Sequence, residues 1–556
     1  MKSGHRLGAA LLLLMLPLSS KAAPPVVSIA FGLQGLSSLQ VGNAELLWRN
    51  PADRTGGGFD GAVFWVPNVT LREGGGKDAV IPVGGPSSVR IEAEHGRVIR
   101  TFARGQVTGV YAASGNRLNL TATVVNTSRT RTKQAIAVQP LWLQFPQPPK
   151  EYDGTDPLLT ENLGSPSVIG ADYGTATLAL CNDKVTFPLV LGLPWALDNP
   201  GNTLFPLQIS SGPTGWLSPF IDPSLQRPIP LGMSDTYTLS LRFGAAGTPA
   251  AALSGDLDRK FAEIYPPSLH WPDRRPLGYL MLYNTVPHPA RGKNPRGWFN
   301  NDSGTDVTTE EGRNALKKSL ADYVDNSIRT LKAMNAHGAI TWDIEGQEYP
   351  HATSCLGDPR KIGERAPEMD AMADGYFARL RQAGLKVGVC IRPQELEAAP
   401  GGGVTQRDQT DMAQVTRTLI AKALYANKRW GCTLFYIDSN GDPNVPYPAS
   451  VFERLSTALL KQGVTALLMP EHQTVRYYGS TAPYDELRGG VISTPESVRR
   501  IYPGAFTVIN IADGDIDGHR AALVLAVRRD DILLFRAWFD DPSNAKIKAI
   551  YREADQ

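Results

Sequence analysis

The sequence predicts a multidomain chain, an N-terminal β-sandwich followed by a (β/α)8 barrel. Three observations lead there. At 556 residues the chain is too long for a single core. Up to residue 245 or so, runs rich in Val, Thr, Leu and aromatics alternate with Gly, Pro, Asn and Ser turns, and no helical pattern interrupts them. From about residue 277 short apolar runs alternate with amphipathic helical stretches, and four of those runs climb to a charged residue at their C-terminal end.

The elements follow in chain order. Residues 1–22 read as an export signal: Lys2, His5 and Arg6 precede an apolar core from Leu7 to Leu18, and Ser20-Lys21-Ala22 offers small residues for cleavage after Ala22. The expected location is therefore secreted or periplasmic. Residues 23–245 form the sandwich, with strand candidates Val26–Phe31, Ala62–Val69, Val89–Ala93, Leu118–Val125, Ala135–Phe145, Thr177–Leu180, Val185–Leu191 and Thr236–Phe243. Leu118, Leu120, Ala122 and Val124 alternate as a half-buried strand requires. Residues 246–276 are a linker with one short helix, Leu253–Ile264, stopped by Tyr265-Pro266-Pro267.

The barrel occupies 277–556. Its eight strand candidates are Leu277–Tyr283, Ala339–Trp342, Val387–Ile391, Leu434–Ile437, Ala466–Met469, Gly490–Ser493, Phe506–Ile509 and Ile532–Phe535. Leu316, Leu320, Val324, Ile328 and Leu331 share one helical face between the first two, and Met369, Met372, Tyr376 and Leu380 another. Gly338, Gly384, Gly431 and Gly463 fall where helix C-termini need a left-handed residue.

Composition removes several function classes. A net charge of +2 gives no general pull toward nucleic acid or acidic membranes, and no later segment is apolar enough to span a bilayer. The four cysteines show no C-x-x-C pair, so cysteine-ligated zinc is not expected, and most read as buried thiols. There is no Walker loop, no H-E-x-x-H and no G-x-S-x-G elbow. Asp513-Gly-Asp515-Ile-Asp517-Gly518 opens like a calcium loop, but Val524 stands where the bidentate Glu is needed.

In a barrel of this type the strand C-termini converge on one face, where the chemistry occurs. Asp438 ends the fourth strand, ahead of Ser439-Asn440-Gly441, and is the candidate nucleophile for glycoside cleavage. Glu471 ends the fifth and is the candidate general acid/base, with Glu496 in reserve. Asp343 and Glu345, two residues apart at the end of strand two, point the same way if the strand continues and are candidates for accepting sugar hydroxyls. Trp342 and Tyr349 are candidates for stacking on a sugar face. Arg392 tops strand three, ready to pair with a carboxylate or clasp substrate, and Asn440 and His472 complete the substrate-contacting set.

Ala383-Gly-Leu-Lys-Val-Gly-Val-Cys-Ile-Arg-Pro393 and Tyr436-Ile437-Asp438 resemble the third- and fourth-strand motifs of the melibiase-type α-galactosidase clan. The Val-x-Asn126-Thr-Ser stretch is similar to the supersandwich modules that precede such barrels. The resemblance implies a retaining α-glycosidase-like barrel with its nucleophile at Asp438. Three positions depart from the clan. Tyr436 stands for a Lys, Arg392-Pro393-Gln394 for Glu-Pro-Glu, and Thr494-Pro495-Glu496 for the Asp after strand six.

The expectation is thus an exported, cofactor-free, exo-acting retaining glycoside hydrolase, with an oligosaccharide or glycoside as its partner. The alternatives are a non-catalytic carbohydrate-binding protein on a barrel scaffold, or a metal-dependent barrel hydrolase or lyase using Asp513, Asp515 and Asp517.

Overall fold

The computed structural model describes residues 24–33, 35–46, 64–67, 80–82, 86–102, 105–127, 137–145, 151–153, 159–161, 168–186, 190–192, 205–211, 232–282, 292–300, 304–346, 356–398, 404–442, 445–490, 493–512 and 514–556. The chain divides into two compact units. One is essentially residues 1–254 and the other 255–556, short stretches near 162–166 and 185–188 excepted.

The first unit is built of antiparallel sheets. Eight strands pair in one of them, with Ser234–Gly244 and Arg117–Asn126 at its centre in the register Leu239↔Leu120 and Leu241↔Leu118. The alternation along Leu118, Leu120, Ala122 and Val124 puts all four on its buried face. That face shares one core with the sheet of Val27–Gly32, Gly35–Val41 and Ala44–Glu45. A further six-stranded sheet runs through Ala137–Phe145 and Phe205–Ser211. Several strands, Gly105–Ser114 and Val168–Asp172 among them, were not expected from sequence, and Val185 precedes its strand, Val190–Gly192, rather than opening it. The expected junction helix is present as Ala250–Ile264.

The second unit is a nearly closed barrel of eight parallel strands. They are β1 (Leu277–Leu280), β2 (Gly338–Thr341), β3 (Lys386–Ile391), β4 (Leu434–Ile437), β5 (Leu467–Pro470), β6 (Tyr484–Glu486), β7 (Val508–Asn510) and β8 (Ile532–Arg536). The main helices between them are α1 (Glu310–Ala333), α2 (Pro367–Gln382), α3 (Met412–Trp430), α4 (Ala449–Lys461), α5 (Glu496–Ile501), α6 (Arg520–Arg528) and α7 (Asn544–Ala554). Thr309 caps α1 by accepting from the Gly312 amide, and Asp411 caps α3 through Ala413. Gly431 ends α3 at φ +72°, as its C-cap position requires. The ring of strands is open between β5 and β6, where one backbone bond, Ala482 N–H to Leu468 O at 2.9 Å, joins the two sides.

The sixth strand corrects the sequence reading. It is Tyr484–Glu486, not Gly490–Ser493. Thr494 instead donates to Asp531, just ahead of β8, so this segment lies at the N-terminal face of the barrel. Both sides of the barrel wall are apolar, so strands buried on both faces show little alternation in sequence.

In space the alternation is complete. Leu277, Tyr279, Ile340, Trp342, Leu434, Tyr436, Leu467, Met469, Tyr484, Val508 and Leu534 fill the interior. Leu280, Ala339, Val389, Phe435, Leu468, Ile509 and Leu533 pack on the helices. Gly388 is required by close approach, because a Cβ there would meet the Leu434 carbonyl oxygen at 2.1 Å. We expect Gly388→Ala to cost about 3 kcal/mol or more in a urea melt. Gly375→Ala, on the exposed face of α2 with nothing within 4 Å of its Cβ, is expected to gain about 0.5–1 kcal/mol. Equal effects at the two sites would contradict this packing.

Candidate active site

Interior parity decides which strand-end residues face the mouth. Cys390 points inward on β3, so Arg392 does too; Tyr436 leads to Asp438 on β4, and Met469 to Glu471 on β5. The three side chains meet. Arg392 places Nε at 2.9 Å and Nη2 at 2.8 Å from Asp438 Oδ2, and Ser439 donates its hydroxyl to Asp438 Oδ1 at 2.9 Å. The Ser439 amide donates to Glu471 Oε2 at 2.7 Å. Ser439 does both from φ +56°, a left-handed conformation uncommon for a residue with a side chain and frequent at functional sites.

The carboxyl groups of Glu471 and Asp438 are hydrogen-bonded to each other. Burial, and then the adjacent Asp438 charge, raises the Glu471 pKa to about 7, so it keeps its proton in acid and up to near-neutral pH. His472 Nε2 lies 3.9 Å from Glu471 Oε2.

Behind this trio is a wholly buried lysine. Lys422 reaches from α3 and donates to the backbone carbonyls of Arg392 at 2.7 Å and Gln394 at 2.8 Å, with Asp358 at 3.6 Å. Gln394 in turn donates to the Ser439 carbonyl at 3.0 Å. Asn440, with no exposed surface, accepts the His472 amide at 2.8 Å and so ties the loops after β4 and β5 together. Trp342 is an interior ring, 4.3 Å from Tyr436 and 5.7 Å from Tyr279.

β2 stops at Thr341 and the chain turns at residues 344 and 345, so Asp343 and Glu345 do not continue the strand, and Asp343 faces the helix side of β2. Asp343 is fully buried and both its oxygens accept the Leu282 amide, at 2.9 and 3.0 Å; its charge is felt by Tyr323 on α1 and Tyr376 on α2. Glu345 is 1% exposed, and its carboxyl oxygens have no partner among the described residues beyond its own amide. Tyr349 lies outside the described residues. Glu496 also stands apart from the mouth. It opens α5, is mostly exposed and pairs with Arg529 at 3.3 Å, which precedes β8 at the opposite face. The misplaced sixth strand accounts for its selection from sequence.

The parity that brings Asp438 inward also brings in residues that sequence reading missed. Glu486 follows Tyr484 on β6, Asn510 follows Val508 on β7, and Arg536 follows Leu534 on β8. Asn510 donates to Tyr484 Oη at 2.8 Å, and Tyr484 donates to Glu486 Oε1 at 3.0 Å. Each is the next same-parity residue beyond an interior apolar one, which is the signal that could have found them.

Of the acidic turn, Asp515 accepts the Gly518 amide at 2.9 Å, Asp517 pairs with Lys546, and Asp513 lies outside the described residues. Among the described residues no three His, Cys, Asp or Glu side chains are grouped to hold a metal ion. Among them, too, no helix is long and apolar enough to cross a membrane.

No family model matches the sequence, and no curated protein does. Among solved structures, the chain is similar to the cycloalternan-forming enzyme from Listeria monocytogenes in complex with a pentasaccharide substrate, at TM-score 0.37 and 9% identity over 96% of this chain and 53% of that one. It is similar to the cycloalternan-degrading enzyme from Trueperella pyogenes at TM-score 0.36 and 8% identity, over 97% of this chain and 81% of that one. An α-galactosidase from Thermus thermophilus, in complex with stachyose, gives TM-score 0.36 and 11% identity over 77% and 97%. The chain thus spans about half the length of the first of these.

Glu345 yields a prediction of its own. Burial raises its pKa from 4.5 to about 8. Between those values the folded state binds a proton that the unfolded state has released, so this group lowers stability progressively as pH rises through the window. Glu345→Gln removes the titration. Its stability relative to wild type should rise between pH 4.5 and about 8 and level off above. Melting temperatures of both proteins across that range test this; a difference that does not change with pH would contradict it.

Proposed function

We propose that the protein is a glycoside hydrolase acting at the C-terminal mouth of its barrel, with Asp438 as the nucleophilic carboxylate and Glu471 as the general acid/base. The observation that carries this reading is the asymmetric carboxyl pair on adjacent strands. Asp438 is charge-paired with Arg392, while its neighbour Glu471 stays protonated toward neutral pH. Two carboxyls whose environments differ in this way are equipped for the two roles of glycoside cleavage.

In the proposed reaction Asp438 attacks the anomeric carbon as Glu471 gives its proton to the leaving oxygen. A glycosyl ester forms on Asp438. Glu471, now the base, takes a proton from water, which hydrolyses the ester and returns both groups to their starting states. Retention needs carboxyl groups about 5–5.5 Å apart. A pair in direct hydrogen-bonding contact is tighter than that, so substrate must part them, and the Glu471 side chain, about one-third exposed, has the freedom to turn. The same contact favours a second assignment, in which Glu486 on β6 supplies the acid while Glu471 supports Asp438. Exo action, a sandwich architecture for the N-terminal sheets and export through residues 1–22 belong to this reading.

The test is a panel of α- and β-aryl glycosides and oligosaccharides, with product configuration followed by NMR. Asp438→Asn should stay folded and lose several powers of ten in turnover. Glu471→Gln should lose about 10²–10⁴-fold on poor leaving groups, far less on activated ones. Wild type is expected to lose kcat/KM above about pH 7, and Glu471→Gln should abolish that fall. If Glu486→Gln gives that leaving-group signature instead, Glu486 is the acid; a fully active Asp438→Asn enzyme ends the proposal.

A further inference from the structure

A hollow of about 490 Å³ opens on the outside of the barrel between α1 and α7, under the turn that follows β8. Its wall includes Trp538, Phe539, Asp540 and Asn544 from that turn and the start of α7, with Arg329 from α1 and Lys548 from α7. Two features mark it, and the first calls for a ligand. Phe539 is 41% exposed, an aromatic face left to solvent, and it meets Trp538 edge-on at 5.7 Å. Asn544 is 4% exposed, yet its side-chain oxygen has no hydrogen-bond partner among the described residues, and its amide nitrogen makes only a long contact to Asp540, 3.5 Å. A buried amide oxygen without a donor costs stability unless something supplies one.

We propose that this hollow is a second carbohydrate-contact site, taking a stretch of neutral glycan away from the mouth. An exposed aromatic ring covers the apolar face of a pyranose, while an amide, a carboxylate and a guanidinium at its edge match hydroxyl groups that both donate and accept. The wall carries both signs of charge, Asp540 beside Arg329 and Lys548, which suits a neutral ligand better than an anion. The site is also linked to the barrel interior. Trp538 lies edge-on to Tyr279 at 5.3 Å, Tyr279 to Trp342 at 5.7 Å, and Trp342 lies against Tyr436, two residues before Asp438. The choice of glycan as the ligand class rests on the proposed function; the hollow and its unmatched groups do not.

Native electrophoresis through gels containing soluble neutral polysaccharides (an α-glucan, a dextran, a galactomannan) measures binding without turnover. Wild type should be retarded by at least one of them, and Phe539→Ala, an exposed substitution, should weaken the retardation about tenfold. Its melting temperature and its turnover of a small aryl glycoside should be unchanged. Asn544→Ala should leave retardation in place, with a melting temperature equal to or above wild type, because the orphaned amide is gone. Retardation that is absent, that is unaffected by Phe539→Ala, or that occurs only with a sulfated polysaccharide would overturn the proposal. Glycan binding that depends on Phe539 in a protein without hydrolytic activity would support this site and reject the proposed function. Hydrolysis without such binding would do the reverse.

Discussion

The contact between the Arg392 guanidinium and Asp438 Oδ2 is the interaction on which the rest of the site depends, and it is fixed from behind by Lys422. Burying an ammonium without surface is costly. Here two carbonyls and Asp358 satisfy it, and those two carbonyls belong to the residues on either side of Pro393. The helix side of the barrel thereby sets where β3 ends and where Arg392 points. Removing the Lys422 charge would leave Asp358 facing only Arg360 and two carbonyls without their donor, a loss of about 3–5 kcal/mol for a broken buried pair. The same backbone hold passes through Gln394 to the Ser439 carbonyl. The left-handed Ser439 then presents its amide to Glu471 and its hydroxyl to Asp438.

Strand parity divides the charged residues into two populations with different physics. Arg392, Asp438 and Glu471 continue the interior rows of their strands and converge on the mouth. Asp343, Glu345, Asp358 and Lys422 lie on the helix side, where low exposure governs their behaviour. Asp343 joins β1 to β2 through the Leu282 amide, and burial outweighs the Glu345 amide and the Lys422 charge, raising the Glu345 pKa to about 8.

Much of this was legible in the sequence. The apolar runs ending in Arg392, Asp438 and Glu471 marked both the strands and the residues that the structure brings together, because a buried parallel strand tolerates a charge only where it emerges. Asp343 and Glu345 were read as the continuing end of the second strand, which stops at Thr341 before them. Which face they took was not legible, since a strand apolar on both sides gives no alternation from which to tell inside from outside. The sixth strand was missed for a related reason. Tyr484-Asp485-Glu486 is short and acidic, and the more apolar Gly490–Ser493 drew the assignment, carrying Glu496 with it. In the N-terminal half, clean alternation revealed Arg117–Asn126, whereas Gly105–Ser114 was hidden by its small residues.

The central claim is that the mouth holds one proton on its carboxyl pair and that this proton belongs to Glu471. Infrared difference spectroscopy of the protonated-carboxyl band reports this directly and needs no knowledge of the sugar. Wild type minus Glu471→Gln should show one carboxylic acid titrating near pH 7. In Asp438→Asn the band should persist with its midpoint moved down, because burial still raises the Glu471 pKa while the neighbouring negative charge is gone. A wild-type spectrum that Glu471→Gln leaves unchanged, or a band that Asp438→Asn abolishes at every pH, would contradict the account.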